Sequence, residues 1–148
     1  VSDTGGVSSE ETREAVLAEV ESGTHGTLAK TMGIEFLEAG PERVTARMPV
    51  EGNTQPYGLL HGGASCVLAE TLGSVGAMLH AGPGRIAVGI EINATHHRTA
   101  TEGWVTGVAT RVHGGRTLAT YEIAITDGRD RRVCTARLTC MLRDRPDA

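Results

Sequence analysis

A chain of 148 residues with 39% hydrophobic side chains and a formal net charge of -4 is long enough for one buried core and too short for two ordinary domains. Its arginines are scattered and only Phe36, Tyr57, Trp104 and Tyr121 offer aromatic faces, which argues against a surface that tracks a nucleic-acid backbone. No run of about 18 apolar residues marks a membrane span and no basic region with an apolar stretch marks export, so a cytoplasmic protein is expected.

Cys66, Cys134 and Cys140 show neither an even count nor CxxC spacing, so they read as small buried thiols rather than a disulfide framework or zinc ribbon. Cys134 and Cys140 share one face of an alternating segment.

In chain order, residues 1–7 are rich in Gly, Ser and Thr and read as frayed. A helix opens at Ser8, whose spacing to Glu11 suits a capping box, and runs through Val16, Leu17 and Val20 to Ser22-Gly23, packing outside the main core. A short helical turn from Thr27 to Met32 ends at Gly33, placed as a C′ glycine. Strand patterns over Ile34 to Ala39 and Arg43 to Val50 flank Gly40-Pro41-Glu42 and form a hairpin.

From Gly62 to about His80 the chain is small or apolar almost all round, the pattern of a helix buried on most sides. Gly73 and Gly76 each cost about 1 kcal/mol of helix propensity, so they imply close approach by a neighbouring element. Four strand patterns follow. Ile86, Val88, Ile90 and Ile92 alternate; Trp104 to Val112 comes next; Leu118 to Thr126 follows Gly114-Gly115; and Cys134 to Leu142 alternates after Asp127-Gly128. This order predicts an α+β fold, an antiparallel sheet wrapped around one long central helix, with an extra N-terminal helix.

The segment Gln55-Pro56-Tyr57-Gly58-Leu59-Leu60-His61-Gly62-Gly63 carries the chemistry. His61 and Gly62-Gly63 fall at the start of the long helix, where N–H groups lack partners and the helix dipole favours a developing oxyanion. A tight loop-to-helix junction alone would also explain the glycines. Glu70 is a lone carboxylate among Val67, Leu68, Ala69, Leu72 and Val75. Apolar surroundings would raise its pKa and suit a general base or nucleophile; a solvated helix edge is the bland reading. Eight residues separate Gly62 from Glu70, about 12 Å along a helix axis. One chain therefore does not easily bring both to one carbonyl, and two copies with antiparallel helices would, with Gly73 and Gly76 easing the approach. His96 and His97 alternate at a strand end, so one can face a site while the other faces water. A zinc site built from them and His61 has no ligand spacing to support it. Ser74 lies inside the helix rather than on an elbow, so it suits orientation of Glu70 one turn away better than nucleophilic attack.

The matches concentrate in Gln55 to Ser65, Leu68-Ala69-Glu70-Thr71-Leu72-Gly73-Ser74, and Asn93-Ala94-Thr95-His96-His97-Arg98. With these the chain, from about His25 to Leu142, resembles the hotdog-fold acyl-CoA thioesterases. It is most similar to the PaaI-like branch that holds the enterobactin proofreading thioesterase and the 1,4-dihydroxy-2-naphthoyl-CoA hydrolase. The resemblance implies an N-terminal extension over 1–24 and a hotdog domain over 25–148. It implies Glu70 as nucleophile or general base, the Gly62 N–H polarising a thioester carbonyl, Gln55 and His61 near that carbonyl, and Ser74 positioning Glu70. His96 and Gly63 would line the substrate region. Arg98 would meet coenzyme A phosphates, with solvent-facing salt bridging as the other reading. Tyr57 stands where relatives often carry Phe, which bears on the acyl pocket. Coenzyme A is then part of the substrate and no separate cofactor or metal is called for; an acyl-carrier protein is the other carrier, and a dimer, assembling to a tetramer, is the form implied.

Two further readings compete. Hotdog dehydratases pair a histidine in a proline-rich loop with a helix carboxylate, whereas this loop reads Leu60-His61-Gly62-Gly63. A non-catalytic acyl-CoA sensor would carry an output module, for which 148 residues leave little room.

Overall fold

A computed structural model describes residues 9–24 and 27–147. The elements are α1 (Ser9–Gly23), α2 (Leu28–Thr31), β1 (Glu35–Ala39), β2 (Arg43–Pro49), α3 (Gly62–Ala81), β3 (Arg85–His96), β4 (Trp104–Gly114), β5 (Leu118–Thr126) and β6 (Arg132–Asp144). The strands form one antiparallel six-stranded sheet in the order β1-β2-β4-β5-β6-β3. Thus α3 separates β2 from β3 along the chain, and the two strands sit four places apart in the sheet. The α+β arrangement expected from the pattern, an antiparallel sheet around one long helix with an extra N-terminal helix, is the one observed, as is the hotdog fold that the resemblance implies.

One face of the sheet wraps α3. Val44, Ala46 and Met48 of β2, Tyr121, Ile123 and Ile125 of β5, and Cys134, Leu138 and Cys140 of β6 are buried against Leu68, Ala69 and Leu72. Gly73 and Gly76 belong to this contact: a Cβ on either would come within 2.6 Å of Leu138 or of the Tyr121 ring. Their expected part in bringing two helices together is therefore corrected. They let the helix sit on its own sheet, which offsets their propensity cost.

The helix is not buried all round. Gly63, Glu70 and Met78 are exposed and Val67 and Ser74 half-buried, so a stripe at helical spacing faces outward. The apolar alternation of β3 also reads differently in three dimensions. A β-bulge between Gly89 and Glu91 shifts the register, so Val88 pairs with Met141 on the outer face while Ile92 pairs with Leu138 on the inner one. Ile90, between them, is 54% exposed.

The two sheet edges differ. At β1, the Glu21 carboxylate of α1 accepts the Phe36 N–H at 2.8 Å, capping a backbone donor that an edge strand leaves free, and Val20 enters the core beside it. The twelve-residue strand β3 forms the other edge and has no strand beyond it among the described residues. Between α2 and β1, Gly33 N–H bonds to Lys30 C=O and Ile34 N–H to Ala29 C=O, with Gly33 at φ +74°, the glycine stop read from the sequence. Ser8, the expected cap of α1, and the frayed segment 1–7 lie outside the described residues.

Candidate active site

The loop before α3 is built on Gln55. Its side-chain Oε1 accepts the N–H groups of Tyr57 and Leu59, its N–H donates to Leu59 C=O at 2.8 Å, and its C=O accepts Gly58 N–H at 3.0 Å. Gly58, at φ +80°, supplies the left-handed residue that the turn requires. Two donors on Oε1 settle the amide orientation, so the NH₂ end of Gln55 is left to meet an acceptor. Leu60 N–H to Ala100 C=O at 2.8 Å and His61 N–H to Asn53 C=O at 2.9 Å tie the loop to the rest of the fold.

His61 caps α3. Its Nδ1 accepts the Gly63 N–H at 2.8 Å, so in the neutral ring the proton sits on Nε2. The cap takes the Gly63 donor and leaves the Gly62 N–H without a partner among the described residues. Beside it stands His96, at the far end of β3: a Cβ on Gly62 would lie 3.0 Å from His96 Nε2. Gln55, Gly62 and His96 line one cavity of about 380 Å³ together with Leu60, Ser65 and Arg98. An open N–H at a helix N-terminus, an amide NH₂ and an imidazole thus converge on one hollow, the equipment for holding a carbonyl oxygen as it gains charge.

His97, just past the end of β3, also borders this cavity, with Nε2 at 3.0 Å from Thr135 Oγ1, so the expected division into one site-facing and one water-facing histidine is not what the cavity lining shows. Arg98 borders the cavity and makes no ion pair among the described residues, so the salt-bridge reading does not apply within the protomer. Tyr57 is 87% exposed and lines no part of this cavity.

Glu70 is not in the cavity either. It lies two helical turns on and is exposed, so its own protomer does not supply the apolar surroundings expected from its neighbours in sequence. Its Oε1 lies against Gly89 of β3. Ser74, expected to orient Glu70, lies on the same outward stripe one turn further on and neighbours the Cys140 thiol of β6. Burial pushes the Cys140 pKa up, the neighbouring Ser74 draws it down, and the Glu70 charge raises it again. Gly89 and Cys140 are directly paired across the sheet, so both sit beneath Glu70. Neither stands out from the sequence as part of the site. An isolated glycine between Val88 and Ile90 in a strand pattern is the available signal, since it marks a bulge or a close approach.

Residues 57–134 match the family model described as Thioesterase superfamily. The chain is 45% identical over 128 residues to the proofreading thioesterase EntH of Cronobacter turicensis, covering 86% of this chain and 93% of that protein. Its structure is similar to that of a thioesterase from Haemophilus influenzae, with a TM-score of 0.83, 35% identity and 86% and 90% of the two chains covered. A glutamine-to-alanine variant of a Pseudomonas aeruginosa thioesterase gives a TM-score of 0.84, with 37% identity and 87% and 94% covered. A helix start presenting an unpaired N–H beside an amide and an imidazole, on a hotdog sheet with these likenesses, identifies the chain as a member of the thioesterase superfamily, an enzyme of the thioester hydrolase class.

Proposed function

We propose that the protein hydrolyses an acyl-CoA or acyl-carrier-protein thioester, with an aromatic or hydroxyaromatic acyl group, at two sites shared between the protomers of a dimer. The observation that carries this reading is the unpartnered Gly62 N–H, in one cavity with the Gln55 amide and His96. The thioester oxygen sits on Gly62 N–H and Gln55 NH₂, with His61 fixing the helix start and Gly63 beside it. His96 packs along the acyl and pantetheine region, and Arg98 meets phosphate at the mouth of the cavity. Glu70 either attacks the carbonyl carbon itself or takes a proton from the attacking water. In the water route, the oxyanion collapses with cleavage of the C–S bond, and the departing thiolate recovers the proton from Glu70. The aromatic acyl group rests on the likeness to the enterobactin proofreading and dihydroxynaphthoyl-CoA branch.

The geometry of α3 supports sharing. The helix separates Gly62 from Glu70 by about 12 Å, and the stripe carrying Glu70 faces outward beside the open edge of β3. A two-fold partner that pairs along that edge with its helix antiparallel covers the stripe and delivers its own Glu70 toward Gly62. Such burial would supply the apolar surroundings that Glu70 lacks in one protomer, and would place Ser74 and Tyr57 at the joint. Exposed Val88, Leu118 and Met141, neighbours across the outer sheet face, suit a second contact that makes a tetramer. A cytoplasmic setting goes with thioester substrates and with three free thiols.

The test is release of free thiol from a panel of aliphatic, benzoyl, hydroxybenzoyl and dihydroxynaphthoyl thioesters, on wild type and Glu70→Gln. The expected result is fastest turnover of an aromatic thioester and a loss of at least about 10³ in kcat for the variant, with an unchanged melting profile. Tight binding without thiol release would favour a sensor, and wild-type turnover by Glu70→Gln would remove Glu70 from the chemistry.

A further inference from the structure

Position 89 falls in the middle of the twelve-residue strand β3, between Val88 and Ile90. Glycine is a poor choice for a strand interior, because it gives up packing and costs backbone entropy. Its backbone conformation does not call for it: Gly89 is absent from the glycines at positive φ. The space around it does. A Cβ at Gly89 would lie 2.9 Å from Glu70 Oε1, and the next atoms, Leu138 Cδ1 and Glu70 Cδ, are at an ordinary 3.6 and 3.8 Å. The carboxylate therefore occupies the room that any other residue would fill.

The neighbourhood is organised around that clearance. The bulge begins at this glycine, so Glu91 is carried to the outer face, paired with Thr139, and brings no second carboxylate beside Glu70. Opposite Gly89 is Cys140, small and fully buried. Its thiol neighbours Ser74, one helical turn beyond Glu70. The floor under Glu70 is thus a hydrogen at Gly89 and a small, buried thiol beside it.

We infer that Gly89 is a positioning residue for the reaction: the missing side chain lets the Glu70 carboxylate lie down on β3 in the orientation from which it acts. This rests on the thioesterase reading of Glu70. A methyl at 89 pushes Oε1 away by a few tenths of an ångström or swings the carboxylate off the strand. A misplaced reacting group costs rate rather than affinity, up to about 10² for a 1 Å error.

The experiment is a double-mutant cycle on the full chain, with kcat and KM measured on the best thioester of the panel. Gly89→Ala is expected to lower kcat about ten- to a hundredfold with KM within about twofold. Glu70→Asp, one methylene shorter, withdraws the carboxylate from position 89, so adding Gly89→Ala to it is expected to cost less than about twofold more. Equal fold-losses in both backgrounds, or wild-type kcat for Gly89→Ala, overturn the inference. Should Gly89→Ala fold poorly, its unfolding midpoint is expected to recover when Glu70→Ala removes the clashing atom; no recovery also overturns it. Failure of the underlying reading is distinguishable, because then Glu70→Ala and Glu70→Asp would themselves retain wild-type kcat.

Discussion

The His96 imidazole lies against Gly62, so close that a β-carbon on the glycine would stand 3.0 Å from His96 Nε2. The contact joins the start of α3 to the end of β3 and walls the free Gly62 N–H on one side. Two features of this position are used at once, the missing side chain toward His96 and the backbone N–H toward the cavity, and only the first is special to glycine.

These can be separated by substitution. His61 has φ -64° and ψ 131°, an extended conformation that a following proline accepts, and proline is well tolerated at the first position of a helix. Gly62→Pro should therefore keep the fold and delete the donor, lowering kcat by about 10² to 10³. Gly62→Ala keeps the donor and only crowds His96, so a smaller loss is expected. Equal kcat values for the two variants would count against an oxyanion role for the Gly62 N–H.

Sharing of the site between protomers predicts complementation. Glu70→Ala and Gly62→Pro are each expected to be nearly inactive alone. After subunit exchange, a mixed dimer holds one site with neither change, so up to about half the wild-type rate per mixed dimer should return. Verified exchange without recovered thiol release would place both residues of each site on one chain.

Arg98 borders the cavity without an ion pair among the described residues to hold it. Its partner is expected to be a phosphate of the carrier. Arg98→Ala should raise KM for a coenzyme A thioester by about tenfold, leave kcat within about twofold, and matter less for a short thioester lacking phosphate. Steady-state kinetics on the two substrates decides the point, and an equal effect on both would rule phosphate contact out.

Stability should fall on the alkaline side. Burial pushes Tyr121 from 10.0 to about 12, against the nearby Arg111 charge, and Cys134 from 9.0 to about 11, while Cys140 is raised as well. For groups raised on folding, the neutral form is favoured in the native state. Their contribution is whole below the unfolded pKa values and is lost as pH rises through the folded ones. The unfolding midpoint is expected to hold to about pH 9 and then decline. In the native protein at pH 8, Cys134 and Cys140 should resist thiol reagents, two further thiols becoming reactive on unfolding. A midpoint that stays level from pH 9 to 11 would refute the first expectation.

Much of the molecule is legible from local pattern. Alternation over Arg43 to Val50 and Cys134 to Leu142, the turn glycines, the Gly33 stop and the apolar run from Gly62 each depend on neighbours a few residues away, and each element formed where expected. The helix start at His61-Gly62-Gly63 is likewise readable, because N-terminal donors without partners follow from helix geometry alone. The β3 pattern misleads for a physical reason: a bulge inserts one residue, after which the same alternation points to the opposite face.

That Gln55, His61 and Gly62 lie close together at the start of the long helix follows from sequence by itself, as does the arithmetic that keeps Glu70 about 12 Å away along the helix. Only the tertiary structure decided that His96 stands on Gly62, that Gly73 and Gly76 serve the protomer's own sheet, and that Gly89 clears the space for Glu70. Those relations join positions far apart in the chain, Glu70 to Gly89 of β3 and Gly73 to Leu138 of β6, and are set by how the two strands cross beneath the helix. Helical and strand periods specify which way a side chain faces, and the packing of distant elements specifies what it meets there.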